Sequence, residues 1–490
     1  MALHCSRTCR KYLLHLAQEN VEFRLPEIKA LLSLSGVQFT LDENFDEKSP
    51  FWVLSNVSEE DVRNVMKRTV CAKSVFELWG HGRTHQELQL SLKNYPTENM
   101  VPYLKSDSTY KINVYTFNKT VIHQERIQKI DTLEFLPFSG KVNLKNPDHV
   151  FCLLENYGSD PNRIPEDPFY VYFGRWIADG QRDLIRSFSV KKRHFIGNTS
   201  MDAGLSFIMA NHGKVKANDL VFDPFVGTGS LLVACAHFGS YVCGTDIDYN
   251  TIHGIGKASR KNQKWRGPDE NIRANLRQYG AEKSYIDVLV SDASKNVWRT
   301  GSLFDAIITD PPYGIRESTR KTGSQKEMIK PPEDFNGESH VPVAKHLVIN
   351  GRLVYWLPVY RPENILKGYK NVSLYNVRPH EVTHVTRRQV YVFQIALCRC
   401  FMSSRYKEEI IPQHPCLKLI SNCEQTLSSH TSRRLVTMEK LKEFEDADGL
   451  AHLLHARFNP YQGHNSFREK YFSGLKKKTG KDEFKNTKKL

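Results

Sequence analysis

A glycine-rich turn between two apolar segments is the feature that most constrains the fold of this 490-residue chain. The turn, D-P-F-V-G-T-G-S, occupies residues 223–230. Residues 220–222 before it are typical of a buried strand, and residues 231–236 predict the start of a buried helix. A strand, a glycine turn and a helix form half of a nucleotide-binding α/β unit. Gly227 and Gly229 carry no Cβ, so the backbone there can lie close to a ligand. The turn lacks the lysine of a phosphate-binding loop, which disfavours a triphosphate.

Three later apolar segments end in acidic side chains at distances that suit a parallel sheet. These segments are residues 241–246, 287–292 and 303–310, which end at Asp246, Asp292 and Asp310. The carboxyl ends of parallel strands meet at one edge of a sheet, so we expect these acids to line one ligand crevice. An acid in the position of Asp246 can accept hydrogen bonds from both hydroxyls of a ribose. Asp248 is the alternative ribose ligand, or else it caps a helix.

Two short motifs and two upstream segments carry a resemblance to a known family. The turn at residues 223–230 together with D-P-P-Y at residues 310–313 resembles the S-adenosylmethionine-dependent amino-methyltransferases. K-R-H-F-I-G-N-T-S-M-D-A at residues 192–203 and G-K-V-N-L-K-N-P at residues 140–147 extend the resemblance to the catalytic subunits of eukaryotic tRNA (guanine-10-N2)-methyltransferases, over about residues 12–471. The resemblance implies a class I methyltransferase domain, which is a Rossmann-like α/β fold with a seven-stranded sheet. It also implies an α+β N-terminal region with a THUMP-like RNA-binding domain.

The resemblance and the predicted order of strands and helices divide the chain into four parts. They are an N-terminal α+β domain at residues 1–85, a THUMP-like RNA-binding domain at residues 86–187, an S-adenosylmethionine-dependent methyltransferase domain at residues 188–465, and a basic tail at residues 466–490. The tail is predicted to be disordered because it is rich in lysine and poor in apolar residues. Two helices are expected near the glycine turn, one at residues 201–212 with Ser200 as its cap and one at residues 251–264.

The middle of the predicted methyltransferase domain departs from the family pattern. The fifth strand is predicted at residues 351–357. The crossover that joins the fourth strand to it normally carries a helix that covers the sheet. Only residues 343–349 are offered for that helix, whereas residues 361–411 form an irregular insertion. Either the insertion covers the sheet or the chain is a spliced or mispredicted variant.

The D-P-P-Y motif predicts how a nucleobase amine is made reactive. The lone pair of such an amine is delocalised into the ring, so the amine is a poor nucleophile. Asp310 can accept one N–H and the Pro311 carbonyl the other, while the two prolines fix the direction of that carbonyl. Accepting both hydrogens turns the nitrogen toward tetrahedral geometry and exposes its lone pair. Tyr313 is expected to stack on the base. The predicted catalytic residues are therefore Asp310, Pro311, Pro312 and Tyr313.

The resemblance also implies binding roles for residues outside that motif. The cofactor, S-adenosylmethionine, is expected to contact Phe195, Asn198, Thr199, Asp223, Pro224, Gly227, Gly229, Asp246, Ile247, Asp292 and Ala293. Among these, Asp292 would accept a hydrogen bond from the adenine amine. RNA is expected to contact the basic residues Lys191, Lys192, Arg193, Arg316 and Arg320. No metal site is expected, because the ten cysteines include no C-x-x-C pair.

The net charge favours a polyanionic partner. Lys and Arg outnumber Asp and Glu by 69 to 54, which gives a formal charge of +15. The resemblance implies methyl transfer to the N2 amine of guanosine 10 in tRNA, giving N2-methylguanosine, and the charge suits an RNA substrate. The acceptor-only carboxylate of Asp310 gives a modest tilt toward guanine, because the guanine edge offers two adjacent donors.

Partners, location and alternative functions complete the expectations. The resemblance implies a heterodimer with a small zinc-containing activator subunit. No apolar run is long enough to span a membrane, so no membrane span is expected. A cytoplasmic enzyme is expected because the scattered cysteines suit a reducing compartment and the N-terminus has no clean apolar core with a cleavage site. One alternative is a protein-glutamine N5-methyltransferase, which shares a Pro-Pro-Tyr loop but lacks an RNA-binding domain. Another is a catalytically impaired tRNA-binding variant.

Overall fold

The computed structural model describes most of the chain. The described residues are 10–43, 45–258, 262–293, 297–299, 301–312, 343–360, 411, 414–428 and 431–445. The chain divides into two compact units, Met1–Arg186 and Ser187–Leu490, called here the N-terminal unit and the C-terminal unit. Each unit is built on its own sheet. The predicted insertion, apart from Ile411, and the basic tail lie outside the described residues.

The N-terminal unit is built on an eight-stranded sheet. Its strands are β1 (Lys11–Leu16), β2 (Thr40–Leu41), β3 (Phe51–Ser55), β4 (Ala72–Gly82), β5 (Thr109–Phe117), β6 (Lys141–Val142), β7 (His149–Asn156) and β8 (Tyr170–Asp179). Their spatial order is β2-β3-β1-β4-β8-β7-β5-β6. Only β5 pairs in parallel, with β6 and β7; the other described neighbours are antiparallel. The predicted boundary between residues 85 and 86 therefore falls between strands of one sheet.

Short helices cover the faces of this sheet. They are α1 (Arg24–Leu34), α2 (Glu59–Met66), α3 (His85–Lys93), α4 (Thr97–Met100), α5 (His123–Asp131) and α6 (Asp183–Ser187), with 3₁₀ turns at Val21–Phe23 and Val101–Tyr103. Helix α2 begins at a capping box in which the Ser58 hydroxyl accepts from the Asp61 amide and the Asp61 carboxylate accepts from the Ser58 amide. Ile28 of α1 and Val62 of α2 are buried in the same core as Trp52 of the sheet.

The C-terminal unit contains the predicted seven-stranded Rossmann-like sheet. Its strands are β9 (Leu220–Asp223), β10 (Tyr241–Asp246), β11 (Tyr285–Val290), β12 (Phe304–Thr309), β13 (Leu347–Tyr360), β14 (Leu417–Thr426) and β15 (Thr431–Lys440). Their order is β11-β10-β9-β12-β13-β15-β14. The first five are parallel, and β15 joins β13 and β14 in antiparallel fashion. This arrangement confirms the predicted fold class.

Buried helices pack on the sheet of the C-terminal unit. The described helices are α7 (Ala203–His212), α8 (Ser230–His237), α9 (Tyr249–Ile252), α10 (Ile272–Gln278) and α11 (Val343–His346), with a 3₁₀ turn at Glu282–Ser284. Every residue of α7 is buried, including the polar residues Ser206, Asn211 and His212. A core cluster on the sheet includes Phe222 and Phe304, whose rings stack with centroids 4.7 Å apart. This packing holds β9 beside β12. These two strands lead into the motifs at residues 223–230 and 310–313.

Two helix predictions need correction. The helix expected at residues 251–264 is only the four-residue α9, because Gly254 and Gly256 follow it at φ 64° and 103°. The helix expected at residues 201–212 begins at Ala203, and its cap is Asp202 rather than Ser200. The Asp202 carboxylate accepts from the Leu205 amide at 3.2 Å.

Candidate active site

Three neighbouring strands bring acidic side chains to one edge of the C-terminal sheet. Asp223 ends β9, Asp246 ends β10, and Asp310 directly follows β12. Since β10, β9 and β12 are adjacent and parallel, their carboxyl ends lie side by side. Asp292 follows the next strand outward, β11, and is buried. The sheet thus brings the four acids that the sequence predicts for one ligand site to the same edge.

Asp223 is the most enclosed of these acids, with a relative exposure of 1%. Its Oδ1 accepts from the Phe225 amide at 2.9 Å and from the Thr309 hydroxyl at 2.6 Å. Its Oδ2 is buried and has no hydrogen-bond partner in the described part of the chain. The pKa of Asp223 is raised to about 7, mainly by burial and in smaller part by the carboxylates of Asp246 and Asp310, while the two hydrogen bonds oppose the rise. A buried acceptor of this kind fits a ligand that brings a donor or a positive charge.

The glycine turn has the backbone shape that its sequence predicts. Gly227 and Gly229 have φ values of 52° and 78°, in the left-handed region that favours glycine. A Cβ on Gly229 would also lie 2.8 Å from Cγ2 of Ile272, whereas space beside Gly227 is open. The Gly227 amide donates to Oδ2 of Asp246 at 2.7 Å, which ties the turn to the end of β10.

Asp246 and Asp248, the two candidate ribose ligands, have different roles in the structure. Asp246 also accepts from the Asp248 amide, at 2.9 Å, and a carboxylate keeps further lone pairs for ligand hydroxyls. Asp248 caps α9 by accepting from the amides of Asn250 and Thr251. The helix cap is therefore the role that the structure gives Asp248, and Asp246 is the better placed of the two for a ribose.

The segment before α7 packs against the glycine turn. The Ser200 hydroxyl lies 2.6 Å from the Thr228 hydroxyl and accepts from the Gly197 amide at 2.8 Å. The backbone N–H and C=O of Phe195 are both bound by the side chain of Asn275, each at 2.8 Å. These contacts hold the expected cofactor-binding stretch, residues 195–199, beside the turn. No sequence signal identifies Thr228 or Asn275 as positioning groups, because their partners are distant in the chain.

The remaining expected cofactor and catalytic residues differ in exposure where the structure describes them. Phe195 and Pro224 are buried, Ile247 is partly buried, and Asn198, Thr199 and Ala293 are exposed. Pro311 is buried and Pro312 is half-buried, directly after Asp310. Tyr313 lies outside the described residues, as do Arg316 and Arg320.

The predicted RNA-binding role of Arg193 needs correction. Lys191 and Lys192 are exposed, but Arg193 is only 1% exposed. Its guanidinium donates to the Ser230 hydroxyl at 2.7 Å and to the Phe188 carbonyl at 3.1 Å. Arg193 thus anchors the segment before α7 to the start of α8, and its guanidinium is not available to a phosphate.

One charged residue at this edge was missed from the sequence. Arg433 of β15 forms an ion pair with Asp310, with Nη1 3.6 Å from Oδ2. The Arg-Arg pair at residues 433–434 in a predicted strand indicates that one of the two points to each face of the sheet. Only the strand order places β15 near the end of β12, so the sequence pattern alone could not find this contact.

Comparisons with known proteins identify the family of the chain. The family model of the Tmrp11 THUMP N-terminal domain matches residues 10–182, and that of the RMKL-like methyltransferase domain matches residues 191–329. The tRNA (guanine(10)-N(2))-methyltransferase of Homo sapiens is 64% identical over 502 residues, covering 99% of this chain and 99% of the relative. The chain belongs to the tRNA (guanine(10)-N(2))-methyltransferase family.

The match extends to more distant members of the tRNA (guanine(10)-N(2))-methyltransferases. The Saccharomyces cerevisiae protein of that name is 29% identical over 470 residues, covering 95% of this chain and all of the relative. Among solved structures, TrmN from Thermus thermophilus shows 12% identity and a TM-score of 0.38 over 88% of this chain and all of that chain, a likeness too low to argue from. No helix in the described ranges is long and apolar enough to cross a membrane.

Proposed function

We propose that Asp310 and the Pro311 carbonyl hold the N2 amine of a tRNA guanosine during methyl transfer. The chain is an S-adenosylmethionine-dependent tRNA (guanine-N2)-methyltransferase, which methylates guanosine 10 and gives N2-methylguanosine. The observation that carries the assignment of roles is the meeting of Asp223, Asp246 and Asp310 at the ends of three adjacent parallel strands.

The position of Asp310 suits an acceptor of amine hydrogens. Its side chain is 26% exposed, so a base can reach it from the crevice. An ionised carboxylate is acceptor-only, which matches the adjacent N1–H and N2–H donors of guanine. Pro311 and Pro312 carry no amide N–H, so no backbone donor of these two residues competes for the acceptors. Methyl transfer would form a C–N bond and break the bond between the methyl carbon and the sulfonium sulfur, which leaves as a neutral thioether. The amine then loses one proton, and Asp310 is the acceptor proposed for it.

The acids on β9 and β10 fit the cofactor. S-Adenosylmethionine, when bound, supplies an electrophilic methyl group on a sulfonium sulfur. The unpartnered Oδ2 of Asp223 offers a buried acceptor for a cationic or N–H donor group of that ligand. Asp246 is fixed by the amides of Gly227 and Asp248, so its orientation toward ribose hydroxyls is set before binding. Alignment of two bound reactants then accounts for much of the rate.

The exposed lysines before α7 are proposed to contact tRNA. Lys191 and Lys192 are exposed beside the segment that packs on the glycine turn. Phosphate contacts position a nucleic acid, whereas the pocket selects the base. The net charge of +15 supports the same partner, and raised salt is expected to weaken tRNA binding because counterions are released on association.

A small zinc-containing activator subunit is proposed as the protein partner, and β11 is the surface proposed for it. In the described part of the chain β11 pairs only with β10, so it forms one edge of the sheet. Ile286, Leu289 and Val290 on this strand are 54%, 40% and 46% exposed, and Tyr241 on β10 is 45% exposed. An apolar edge strand favours pairing with another chain. Coverage of this edge would also keep the enzyme soluble in the cytoplasm, its proposed location.

An interface variant tests the partner surface. Ile286→Asp should abolish co-elution of the chain with the activator in size-exclusion chromatography. Leu427→Asp is a matched control, because Leu427 is 50% exposed at the opposite end of the sheet order, next to β14. Retention of the heterodimer by Ile286→Asp would place the interface elsewhere.

The reaction itself is tested on unmodified tRNA. The chain with its activator and S-adenosylmethionine should give N2-methylguanosine, read by mass spectrometry of digested nucleosides. A tRNA with adenosine at position 10 is the matched control and should remain unmethylated. N6-methyladenosine in the product, or methyl label in protein alone, would contradict the proposal.

A further inference from the structure

The guanidinium of Arg433 lies at the carboxylate proposed to hold the substrate amine. Nη1 of Arg433 is 3.6 Å from Oδ2 of Asp310, and the two side chains are 13% and 26% exposed. The pair is therefore shielded enough for its charges to matter more than those of a surface ion pair, yet open on the side of the crevice.

Arg433 is itself held in place by two neighbours. Its guanidinium carbon lies 3.9 Å from the ring centroid of the buried Trp356, on β13. Its Nε donates to Oε1 of Gln425 at 2.7 Å. The antiparallel registers explain these contacts, since Arg433 lies opposite Gln425 on β14 and opposite Pro358 on β13. Strands β13, β14 and β15 together thus hold the guanidinium of Arg433 near the end of β12.

The next residue along β15 provides an internal comparison. Arg434 has a side-chain exposure of 12%, close to that of Arg433, and also forms an ion pair, with Glu424 at 3.1 Å. Its Nε donates to Asn422 at 2.6 Å. Successive residues of a strand point to opposite faces of the sheet. Arg434 therefore has the same kinds of partner as Arg433, a carboxylate and a side-chain amide, but it lies on the face away from Asp310.

The charges around Asp310 give Arg433 a reason to be there. Asp310 shares the sheet edge with Asp223, whose pKa is raised to about 7 by burial first and partly by the carboxylates of Asp246 and Asp310. A carboxylate in such an acidic cluster is driven toward protonation, and a protonated Asp310 would offer a donor where the amine needs an acceptor. Arg433 is the cation that the described residues place against it.

We infer that Arg433 is a positioning residue for methyl transfer, which holds the Asp310 carboxylate ionised and in a fixed rotation so that it accepts the hydrogens of the guanine edge. The inference rests on the proposed role of Asp310. It assigns to the antiparallel strands at the end of the chain a direct part in preparing the catalytic carboxylate.

Steady-state kinetics of the holoenzyme with its activator, unmodified tRNA and S-adenosylmethionine test this role. Arg433→Gln should lower kcat by about 10- to 100-fold, between the small effect of losing a surface ion pair and the larger effect of losing a buried one. Cofactor affinity and the KM for tRNA should stay within about twofold. Arg433→Lys keeps the charge and should recover part of kcat, whereas Arg434→Gln should leave kcat within about twofold of the parent.

The pH dependence of kcat separates a positioning role from a purely structural one. Loss of the guanidinium raises the pKa of Asp310, so the acid limb of the profile should move to higher pH in Arg433→Gln and stay in place in Arg434→Gln. The inference fails if the limb does not move, if Arg434→Gln loses as much kcat as Arg433→Gln, or if Arg433→Gln raises only the KM for tRNA, which would make Arg433 a phosphate contact.

A double variant distinguishes failure of this inference from failure of the proposed function. If Asp310 acts through Arg433, then Asp310→Ala/Arg433→Gln should be no slower than Asp310→Ala alone, because both changes disable one unit. Full turnover by Asp310→Ala would overturn the proposed role of Asp310 itself. An inactive Asp310→Ala beside a fully active Arg433→Gln would overturn only the role of Arg433.

Discussion

Buried acids in the two units have opposite surroundings. In the N-terminal unit the side chain of Glu155 is fully buried and has contacts of 2.8 Å, 2.8 Å and 2.9 Å with His85, Lys129 and the Tyr157 hydroxyl. Burial alone would raise the pKa of Glu155, but these partners hold it below the usual value. In the C-terminal unit Asp223 is also buried, and one of its oxygens has no partner in the described part of the chain.

The difference indicates what each acid is for. Glu155 finds its partners within the fold, so it stabilises the N-terminal sheet. Asp223 has a pKa raised to about 7 and a buried acceptor that the fold leaves open, which stabilises the protein less and suits a ligand more. The same contrast separates Asp223 from Glu77, which lies 2.8 Å from Arg175 and 3.3 Å from Arg10.

The largest expected effect is on stability and concerns Glu155. Glu155→Ala leaves Lys129 and Tyr157 without their buried partner and should lower the free energy of unfolding by about 3–5 kcal/mol. Thermal melts measure the loss. Glu19→Ala is the control, since Glu19 is 70% exposed and its ion pair with Arg182 should contribute little. Equal melting of the two variants would break the comparison between the units.

The next effect is on catalysis and concerns Asp310. Asp310→Ala should lower kcat by about 10²- to 10³-fold, the usual loss when a preorganised group at the reacting centre is removed. Calorimetric titration with S-adenosylmethionine should give nearly unchanged affinity, because Asp310 is proposed to face the base. A matching loss of cofactor affinity would instead place Asp310 with Asp223 and Asp246 as part of the cofactor pocket.

The sequence was sufficient to place candidate functional residues that lie at the ends of regular strands. The acids at Asp223, Asp246 and Asp310 could be placed because strand ends in a parallel sheet share one edge whatever the loops do. The basic run at residues 191–193 was misleading for Arg193, since like residues in a row can face opposite ways and one of them turned inward to Ser230.

Contacts that depend on strand order could not be predicted. The pairing of Arg433 with Asp310 requires β15 to insert between β13 and β14, and no local pattern in β15 states that order. The hydroxyl pair of Ser200 and Thr228 depends in the same way on how one loop packs on another. The predicted length of α9 was wrong for a simpler reason, because Gly254 ends the helix early.

A smaller effect is expected for Asp246. Asp246→Ala removes the proposed ribose acceptor and also the carboxylate that fixes the Gly227 amide. The affinity for S-adenosylmethionine should fall by about 1–3 kcal/mol in binding free energy. Asp248→Ala is the matched control and should disturb α9 while leaving cofactor affinity close to that of the parent. If calorimetric titration shows the larger loss of affinity for Asp248→Ala, then Asp248 and not Asp246 is the ribose ligand.

The most diagnostic effect is the pH dependence contributed by Asp223. Its pKa is about 7 in the folded chain against an ordinary value of 3.8, so between these values the folded state binds the extra proton. The stability contributed by this group therefore falls as pH rises from about 4 to about 7 and stays low above that range. Asp223→Asn removes the titration, so in the absence of cofactor its melting temperature relative to the parent should rise between pH 5 and pH 8.

Added cofactor should reverse the order of the melting temperatures of the parent and Asp223→Asn. A ligand that brings a cation or donor to Oδ2 stabilises the ionised parent, so saturating S-adenosylmethionine at pH 8 should raise its melting temperature by more than that of Asp223→Asn. Thr309→Val is the companion variant, because it removes the 2.6 Å hydrogen bond that favours the ionised carboxylate and should move the transition to higher pH. If the melting difference between parent and Asp223→Asn is flat with pH, then Asp223 is held within the fold as Glu155 is, and the contrast between the two units is lost.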